Sequence, residues 1–223
     1  MTAPGGTGEP RRIGVLGGTF DPPHIGHVVM ACEARWQLVL DEVRLVPART
    51  PPHKLGREIA DAEARAAWTE AAVEGRPGLT VSLIELEREG PSYTADTLQA
   101  MAGAEPGVRL WFVLGADQLA GVPAWRDPDR ILAAARLAVV AREGVDDDDL
   151  TDLAERVAPG RHDIVRMPAI GVSSTMIRDR LAAGEPVGHL LPPTVESALV
   201  RGGVVPSPRS SDRRKDTSRT RSS

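Results

Sequence analysis

The chain has 223 residues, of which 41% are hydrophobic and 26% charged, so it is long enough and apolar enough to bury a real core. Its formal net charge of −4 does not favour nucleic-acid binding, and no apolar run is long enough to span a bilayer. The single cysteine, Cys32, excludes an intramolecular disulfide framework and is expected to be buried. With no apolar signal region at the N-terminus, we expect a cytoplasmic protein.

The two ends of the chain differ in composition from the rest. Residues 1–11 are rich in Gly and Pro, and residues 206–223 are rich in Ser and Arg with almost no apolar side chains. Segments of this kind cannot bury enough apolar surface to fold, so both are predicted to be disordered. One folded domain is therefore predicted over residues 12–205.

Apolar runs alternate with helix-period stretches along this domain. Strands are predicted at 13–17, 42–47, 79–85, 109–115, 136–141 and 162–167. Helices are predicted at about 26–40, 61–74, 94–103, 127–135, 148–157, 173–183 and 193–201. This alternation predicts an α/β fold: a single Rossmann-like, doubly wound parallel sheet with helices on both faces. Its ligand is expected at the carboxyl ends of the strands, beside the switch in strand order.

Three groups of residues on these elements have simple structural interpretations. Asp61 and the run Asp146–Asp149 stand where helix N-termini favour acids, and this is preferred over a metal site. Trp36 and Trp68 on helices are expected to pack against the sheet, and Trp111 within a strand is expected in the core.

The segment GGTFDPPHIGH, which runs from Gly17 to His27, joins the first strand to the first helix. Gly17 and Gly18 permit a tight turn, and His24 and His27 project from one side of the first helical turn. Gly26 between them is expected to leave room for a ligand near the backbone. With the helix N-terminus, these residues favour a phosphate site, although a zinc site or a purely structural role is not excluded.

A second segment, VSSTMIRDRL at residues 172–181, offers a similar helix start. Ser173 or Ser174 can cap the helix, and Arg178 follows on the face of Ser174. The two segments resemble the GxFDPxHxGH and [ST]SSTxIR signatures of the nucleotidylyltransferase superfamily. This resemblance implies catalytic roles for His24, His27 and Arg178. It also implies an ATP-binding surface made of Gly17, Gly18, Thr19, Phe20, Gly26, Ser173, Ser174 and Thr175.

Three further segments narrow the resemblance. They are PPHK with Lys54, PSYTADTL with Thr94, and GADQL followed by PAWRDP, which contain Gly115, Asp117 and Trp125. In order and spacing, residues 12 to 204 resemble the nicotinate-nucleotide adenylyltransferase family. The resemblance implies that Thr94 and Trp125 hold the pyridine ring and its carboxylate, that Asp117 faces the nucleotides, and that Lys54 and Gly115 also bind substrate. Plain loop packing is the alternative for Trp125.

The implied reaction is adenylyl transfer from ATP to nicotinate mononucleotide, giving nicotinate adenine dinucleotide and pyrophosphate in NAD biosynthesis. Mg²⁺ is expected, bound mainly through ATP phosphates, with no metal site made by the protein alone. A homo-oligomer is possible. The alternatives are an adenylyltransferase for nicotinamide mononucleotide or phosphopantetheine, and a nucleotide-binding regulator without turnover.

Overall fold

A computed structural model describes residues 9–51, 59–144 and 146–204, and these build one six-stranded parallel sheet. The strand order is β3-β2-β1-β4-β5-β6. The strands are β1 (Arg12–Gly18), β2 (Glu42–Pro47), β3 (Leu79–Val81), β4 (Arg109–Gly115), β5 (Ala135–Arg142) and β6 (His162–Met167). The fold class predicted from the sequence is confirmed.

Helices cover both faces of the sheet. They are α1 (Ile25–Gln37), α2 (Ala62–Val73), α3 (Thr94–Ala104), α4 (Ala116–Leu119), α5 (Pro128–Ala134), α6 (Asp147–Val157), α7 (Ser174–Ala182) and α8 (Pro193–Arg201), with 3₁₀ turns at Val122–Ala124 and Gly188–Leu190. One buried cluster joins the sheet to α1, α2, α7 and α8, and a second joins it to α3, α5 and α6. This arrangement follows from right-handed crossovers that leave β1 in opposite directions along the sheet.

The strand order reverses between β1 and β4, which pair in parallel. The chain moves outward from β1 to β2 and β3, then returns to β4 on the other side of β1. The loops that follow β1 and β4 therefore diverge at the carboxyl edge and leave a crevice between them. Gly18 ends β1 and Gly115 ends β4, so two of the predicted site segments begin at this crevice.

One strand is shorter than predicted, and one observed helix was not predicted. The strand predicted at 79–85 ends at Val81, because the carbonyl of Leu83 accepts the N–H groups of Leu86 and Glu87 and turns the chain. The single-turn helix α4 was not predicted, since four residues are too short to show a helical period.

The ordered N-terminal boundary also lies earlier than predicted. The carbonyl of Arg11 accepts the N–H of Arg109 at 2.8 Å, and its guanidinium pairs with Glu42 and Glu105 at 2.6 and 3.0 Å. Arg11 is therefore part of the fold rather than of a disordered segment. Residues 1–8 and 206–223, and with them the predicted tail, lie outside the described residues.

Side chains on α1 correct two further predictions. Trp68 and Trp111 are buried as predicted, but Trp36 is 80% exposed and Cys32 is also exposed. The face of α1 that packs on the sheet includes Ala31 and Ala34. Trp36 stands two residues from Ala34, about 200° around the helix, so it points away from the sheet.

The acidic residues cap helices as predicted. The Asp61 carboxylate accepts the N–H of Glu63, and the Asp146 carboxylate accepts the N–H groups of Asp148 and Asp149. Each of these bonds satisfies a backbone donor that the first turn of a helix leaves without an intrahelical partner. A structural role is thereby sufficient to explain Asp61 and Asp146.

Candidate active site

Two stacked imidazoles lie at the start of α1. His24 is the N-cap residue, and its ring lies 3.7 Å from that of His27, centroid to centroid. The backbone N–H of His24 donates to Nδ1 of His27 at 3.2 Å. Since Nδ1 accepts this bond, the proton of the neutral His27 ring is on Nε2. His27 can therefore present an N–H donor to an anion at this helix N-terminus.

The turn before α1 contacts the His27 ring through Phe20. The ring of Phe20 is 1% exposed and contacts His27 edge-on, with the centroids 5.0 Å apart. Phe20 has a φ of 51°, a strained backbone conformation for an aromatic residue. A Cβ on Gly18 would lie 2.8 Å from the Phe20 ring, so this position requires glycine. The buried side chain of Phe20 thus packs against His27, and its predicted role in ATP binding stays a prediction.

His24 is more buried than His27 and is surrounded differently. It is 7% exposed, and its Nδ1 has no hydrogen-bond partner among the described residues. Burial, and secondarily the charge of Arg142, lower the pKa of His24 to about 4. A Cβ on Gly26 would lie 3.1 Å from the His24 ring and 3.2 Å from Val172. A side chain at position 26 would therefore crowd His24 and Val172, while the proposed approach of a ligand to the Gly26 backbone stays a prediction.

The lowered pKa of His24 predicts a loss of stability in mild acid. An unfolded histidine takes up a proton near pH 6.5, whereas folded His24 stays neutral until about pH 4. Stability is therefore unaffected above pH 6.5 and falls between 6.5 and 4, by about 2 kcal/mol at pH 5. Urea unfolding at pH 7.5 and pH 5 measures this loss of unfolding free energy. In His24→Asn the contribution of His24, about 2 kcal/mol, should disappear. An identical pH dependence in both proteins would contradict the assignment.

The second predicted segment contacts the first, although about 150 residues separate them. Ser173 caps α7 by accepting the N–H of Met176 at 3.1 Å. The Ser174 hydroxyl donates to the carbonyl of Pro22 at 2.9 Å. The Nη1 of Arg178 donates to the carbonyl of Asp21 at 2.6 Å and lies 3.5 Å from Oδ2 of the same residue.

Contact between the two segments places a second helix start beside the first. The Nη2 of Arg178 donates to the Thr175 hydroxyl at 3.3 Å, and the side chain of Arg178 remains 37% exposed. The positive ends of α1 and α7, two imidazoles and one guanidinium therefore converge at the end of β1. Such a convergence of donors suits a polyphosphate.

The segments predicted to bind the pyridine ring also meet each other. Thr94 is the first residue of α3, and Tyr93 before it provides no side-chain cap. The guanidinium of Arg126 lies over the Tyr93 ring, 4.4 Å from its centroid. Trp125 is half-buried and packs edge-on against Phe112 with centroids 5.9 Å apart. Part of the Trp125 surface therefore packs against β4, while the proposed contact with a pyridine ring stays a prediction.

Phe112 connects these segments to the phosphate side of the crevice. A Cβ on Gly17 would lie 3.8 Å from the Phe112 ring, whose edge contacts Trp125. The loop after β1 and the Trp125 loop are thus neighbours across β4. Gly115 is the N-cap of α4 and Asp117 is exposed beside it, while Lys54 lies outside the described residues.

Sequence reasoning missed two charged residues near the site. Arg142 ends β5, and its charge acts on His24 across the crevice. It also borders a cavity of about 500 Å³ with Glu33, Arg166 and Met167. A cation directly after the apolar strand LAVVA was a usable signal, because carboxyl ends of parallel strands meet at one edge.

The second missed residue is Glu85, which is 7% exposed beneath the Tyr93 segment. Its carboxylate accepts the Thr97 hydroxyl at 2.6 Å, and burial raises the pKa of Glu85. No sequence pattern pointed to Glu85, because it was predicted to lie at the end of a strand.

No cluster of three or more His, Cys, Asp or Glu side chains able to hold a metal ion occurs in residues 9–51, 59–144 and 146–204. Of the two aspartates in the predicted site segments, Asp21 lies 3.5 Å from Arg178 and Asp117 lies in the first turn of α4. The described residues therefore do not form a ligand set for a resident cation. In the same part of the chain, no helix is long and apolar enough to cross a membrane.

A parallel sheet with imidazoles and helix N-termini at its switch point defines a nucleotide-binding α/β protein. The cytidylyltransferase-like family matches residues 15–180. A probable nicotinate-nucleotide adenylyltransferase of Halalkalibacterium halodurans is 42% identical over 195 residues, which are 87% of this chain and 91% of that protein. The nicotinate-nucleotide adenylyltransferase of Bacillus subtilis is 35% identical over 88% of this chain and all of that protein.

Solved structures agree in fold. Plasmodium falciparum nicotinic acid mononucleotide adenylyltransferase in complex with NaAD has a TM-score of 0.70 at 15% identity, covering 86% of this chain and 96% of that one. The same enzyme in complex with APC has a TM-score of 0.69. The chain belongs to the cytidylyltransferase-like family and, within it, to the nicotinate-nucleotide adenylyltransferases.

Proposed function

We propose that this protein transfers the adenylyl group of ATP to nicotinate mononucleotide, releasing nicotinate adenine dinucleotide and pyrophosphate in the cytoplasm. The observation that carries the proposal is the contact between the two phosphate-type segments: Ser174 with Pro22 and Arg178 with Asp21. Together with the family membership, this contact supports one triphosphate held between α1 and α7.

The reaction needs alignment and charge stabilisation more than proton transfer. The attacking group is a phosphate oxygen that is already anionic, so no general base is required. Alignment of two bound reactants can lower the barrier by about 7–11 kcal/mol. Donors at the leaving pyrophosphate contribute about 3–4 kcal/mol each. His27 and Arg178 are proposed as these donors, since both stand at the helix starts that face the crevice.

Mg²⁺ is proposed to bind mainly through the phosphate oxygens of ATP and water. This fits the absence of a carboxylate cluster in the described part of the chain, and Mg²⁺ usually retains several waters. The cavity beside Arg142, at about 500 Å³, has room for the nucleoside portion of ATP. A homo-oligomer is compatible with this site.

The ring carboxylate of the second substrate is proposed to bind at the start of α3. The first N–H groups of an α-helix have no acceptor one turn earlier in the helix. In α3 the N–H of Asp96 donates to the Tyr93 carbonyl at 3.1 Å, and the Tyr93 side chain caps none of the first N–H groups. N–H groups at this position can donate to a carboxylate, whereas the amide of nicotinamide mononucleotide would bring its own N–H donors against them. The unpaired donors and the lost charge-assisted bonds together weaken binding of the amide, relative to the acid, by roughly 2–6 kcal/mol.

We therefore expect kcat/KM for nicotinate mononucleotide to exceed that for the amide by at least about thirtyfold. The test measures both substrates side by side through pyrophosphate release, in the wild type and in Trp125→Ala. Because Trp125 offers ring contact to either substrate, its replacement should weaken both and preserve the preference. Equal values in the wild type would indicate a dual-specificity enzyme.

The same assay separates the alternative functions. Turnover with phosphopantetheine and not with a pyridine nucleotide would assign the other adenylyltransferase activity. Nucleotide binding with no pyrophosphate release from any acceptor would identify a regulator without turnover.

A further inference from the structure

Arg65 on α2 is fully buried, and all the hydrogen bonds of its guanidinium to the described residues go to backbone carbonyls. Its side chain is 0% exposed, and its guanidinium donates four hydrogen bonds to carbonyl oxygens. The acceptors are Ala60 (2.9 Å from Nε), Thr19 and Ala48 (2.8 and 2.7 Å from Nη1), and Arg49 (3.1 Å from Nη2). Three separate segments of the chain are therefore joined at one side chain.

A buried cation of this kind is costly unless its surroundings compensate it. Within residues 9–51, 59–144 and 146–204, no carboxylate makes an ion pair with Arg65; the acids that act on it from a distance are Asp21, Asp61 and Glu63. Carbonyl dipoles provide the compensation instead. A planar fork of five N–H groups suits this arrangement, and a point charge such as a lysine ammonium does not.

On one side, the guanidinium donates a hydrogen bond to the turn that contacts His27. Its acceptor Thr19 lies between Gly18 and Phe20, whose ring contacts His27. The N–H of Ala48, another of its acceptors, donates to the carbonyl of Gly18 at 2.9 Å. The GGTF turn is thus tied to the end of β2 twice, once through Arg65 and once through its own backbone.

On the other side, the same residues lead to the proposed pyridine site. The N–H groups of Arg49 and Thr50 donate to the Ser92 hydroxyl at 3.0 and 3.4 Å, and the N–H of Ser92 donates to the carbonyl of Thr50 at 3.0 Å. Ser92 immediately precedes Tyr93, the N-cap of α3. The hydroxyl of Thr97, on the first turn of α3, donates to buried Glu85 at 2.6 Å.

We propose that Arg65 is a positioning residue for the transfer reaction, which fixes the distance between the His27 side of the site and the start of α3. This inference rests on the proposed function, because the two sides must hold ATP and the nucleotide acceptor. Arg65 itself touches no substrate, since its side chain is fully buried. It acts through the carbonyls of Thr19 and Arg49, which anchor the two sides.

The test compares Arg65→Lys, which retains the charge and loses the fork, with Thr69→Val. Thr69 is a matched control on the same helix: it is fully buried, and its hydroxyl donates to the backbone carbonyl of Arg65 at 2.7 Å. Both variants should lower the melting temperature by some degrees, and activity is measured well below both transitions. We expect Arg65→Lys to lower kcat by about tenfold or more with both KM values changed less than about threefold. Thr69→Val should keep kcat within about twofold of the wild type.

Two results would overturn the proposal. The first is a folded Arg65→Lys enzyme with wild-type kcat. The second is an equal loss of kcat in Thr69→Val, which would indicate that destabilisation of α2, and not loss of the guanidinium bonds, lowers the rate. If Arg65→Lys does not fold, Ser92→Ala tests the same chain of contacts from the other side. It leaves the guanidinium intact, and it should lower kcat more than KM; an unchanged kcat would refute the linkage. Absence of wild-type turnover with nicotinate mononucleotide would instead reject the proposed function.

Discussion

Replacement of His27 by alanine is expected to lower kcat by at least about a hundredfold while the protein stays folded. The Nδ1 of His27 is engaged by the backbone of His24, so the lost group is the Nε2–H donor at the start of α1. Removing one donor to developing charge in an active site typically costs about 3–4 kcal/mol of transition-state stabilisation. Steady-state pyrophosphate release, with circular dichroism as the check on folding, measures the effect.

Two further variants separate the donor from the structural bond that His27 makes. In His27→Asn, the amide oxygen can replace Nδ1 as acceptor for the His24 N–H, but no donor reaches the position of Nε2. In His27→Gln, the longer amide can bring an N–H close to that position. We therefore expect His27→Asn to have a kcat as low as that of His27→Ala, and His27→Gln to have a higher kcat than either. Near-normal kcat in His27→Asn would contradict the proposed role.

Replacement of Arg178 by alanine is expected to lower kcat/KM by about a hundredfold, with a rise in the KM for ATP and a fall in kcat. A charge-assisted bond to a phosphate is worth about 1.5–3 kcal/mol, and the leaving pyrophosphate gains charge beside it. The side chain is 37% exposed and its Nη2 lies at the start of α7, where a triphosphate would bind. Initial rates over a matrix of ATP concentrations give both constants.

Arg178 also holds the carbonyl of Asp21, so part of its effect could come from the loop rather than from the charge. Ser174→Ala is the matched control, because it removes the neighbouring bond to Pro22 without removing a cation. We expect a much smaller change in the ATP constants for Ser174→Ala. Unchanged ATP constants in Arg178→Ala would show that this residue has a surface role only.

Local sequence patterns were sufficient to predict the class of fold. Short apolar runs rich in β-branched and aromatic residues, such as RLWFVLG in β4, favour strands buried on both faces, and their alternation with helices indicates a parallel sheet. Asp61 and Asp146 cap helices through bonds that span two or three residues, so their roles are visible in the chain itself. The spacing of His24 and His27 likewise places both rings on one turn, as observed.

Tertiary contacts decided what these patterns could not. The spacing of His24 and Gly26 says nothing of Val172, which lies 146 positions further along the chain and would be 3.2 Å from a Cβ at Gly26. The exposure of Trp36 depends on which face of α1 meets the sheet, and apolar residues on more than one side of a helix leave that choice open.

The sequence by itself determined the class of fold, the two helix starts and the family to which their residues belong, because all of these depend on short-range spacing. Only the tertiary structure showed that α7 touches the loop before α1, that burial and Arg142 keep His24 neutral, and that Arg65 joins three backbone segments. Apart from the local bond of Arg65 to Ala60, these contacts join groups between 16 and about 150 residues apart, whose meeting is set by the strand order. Burial and electrostatic energy are properties of that packed arrangement, and no local segment contains them.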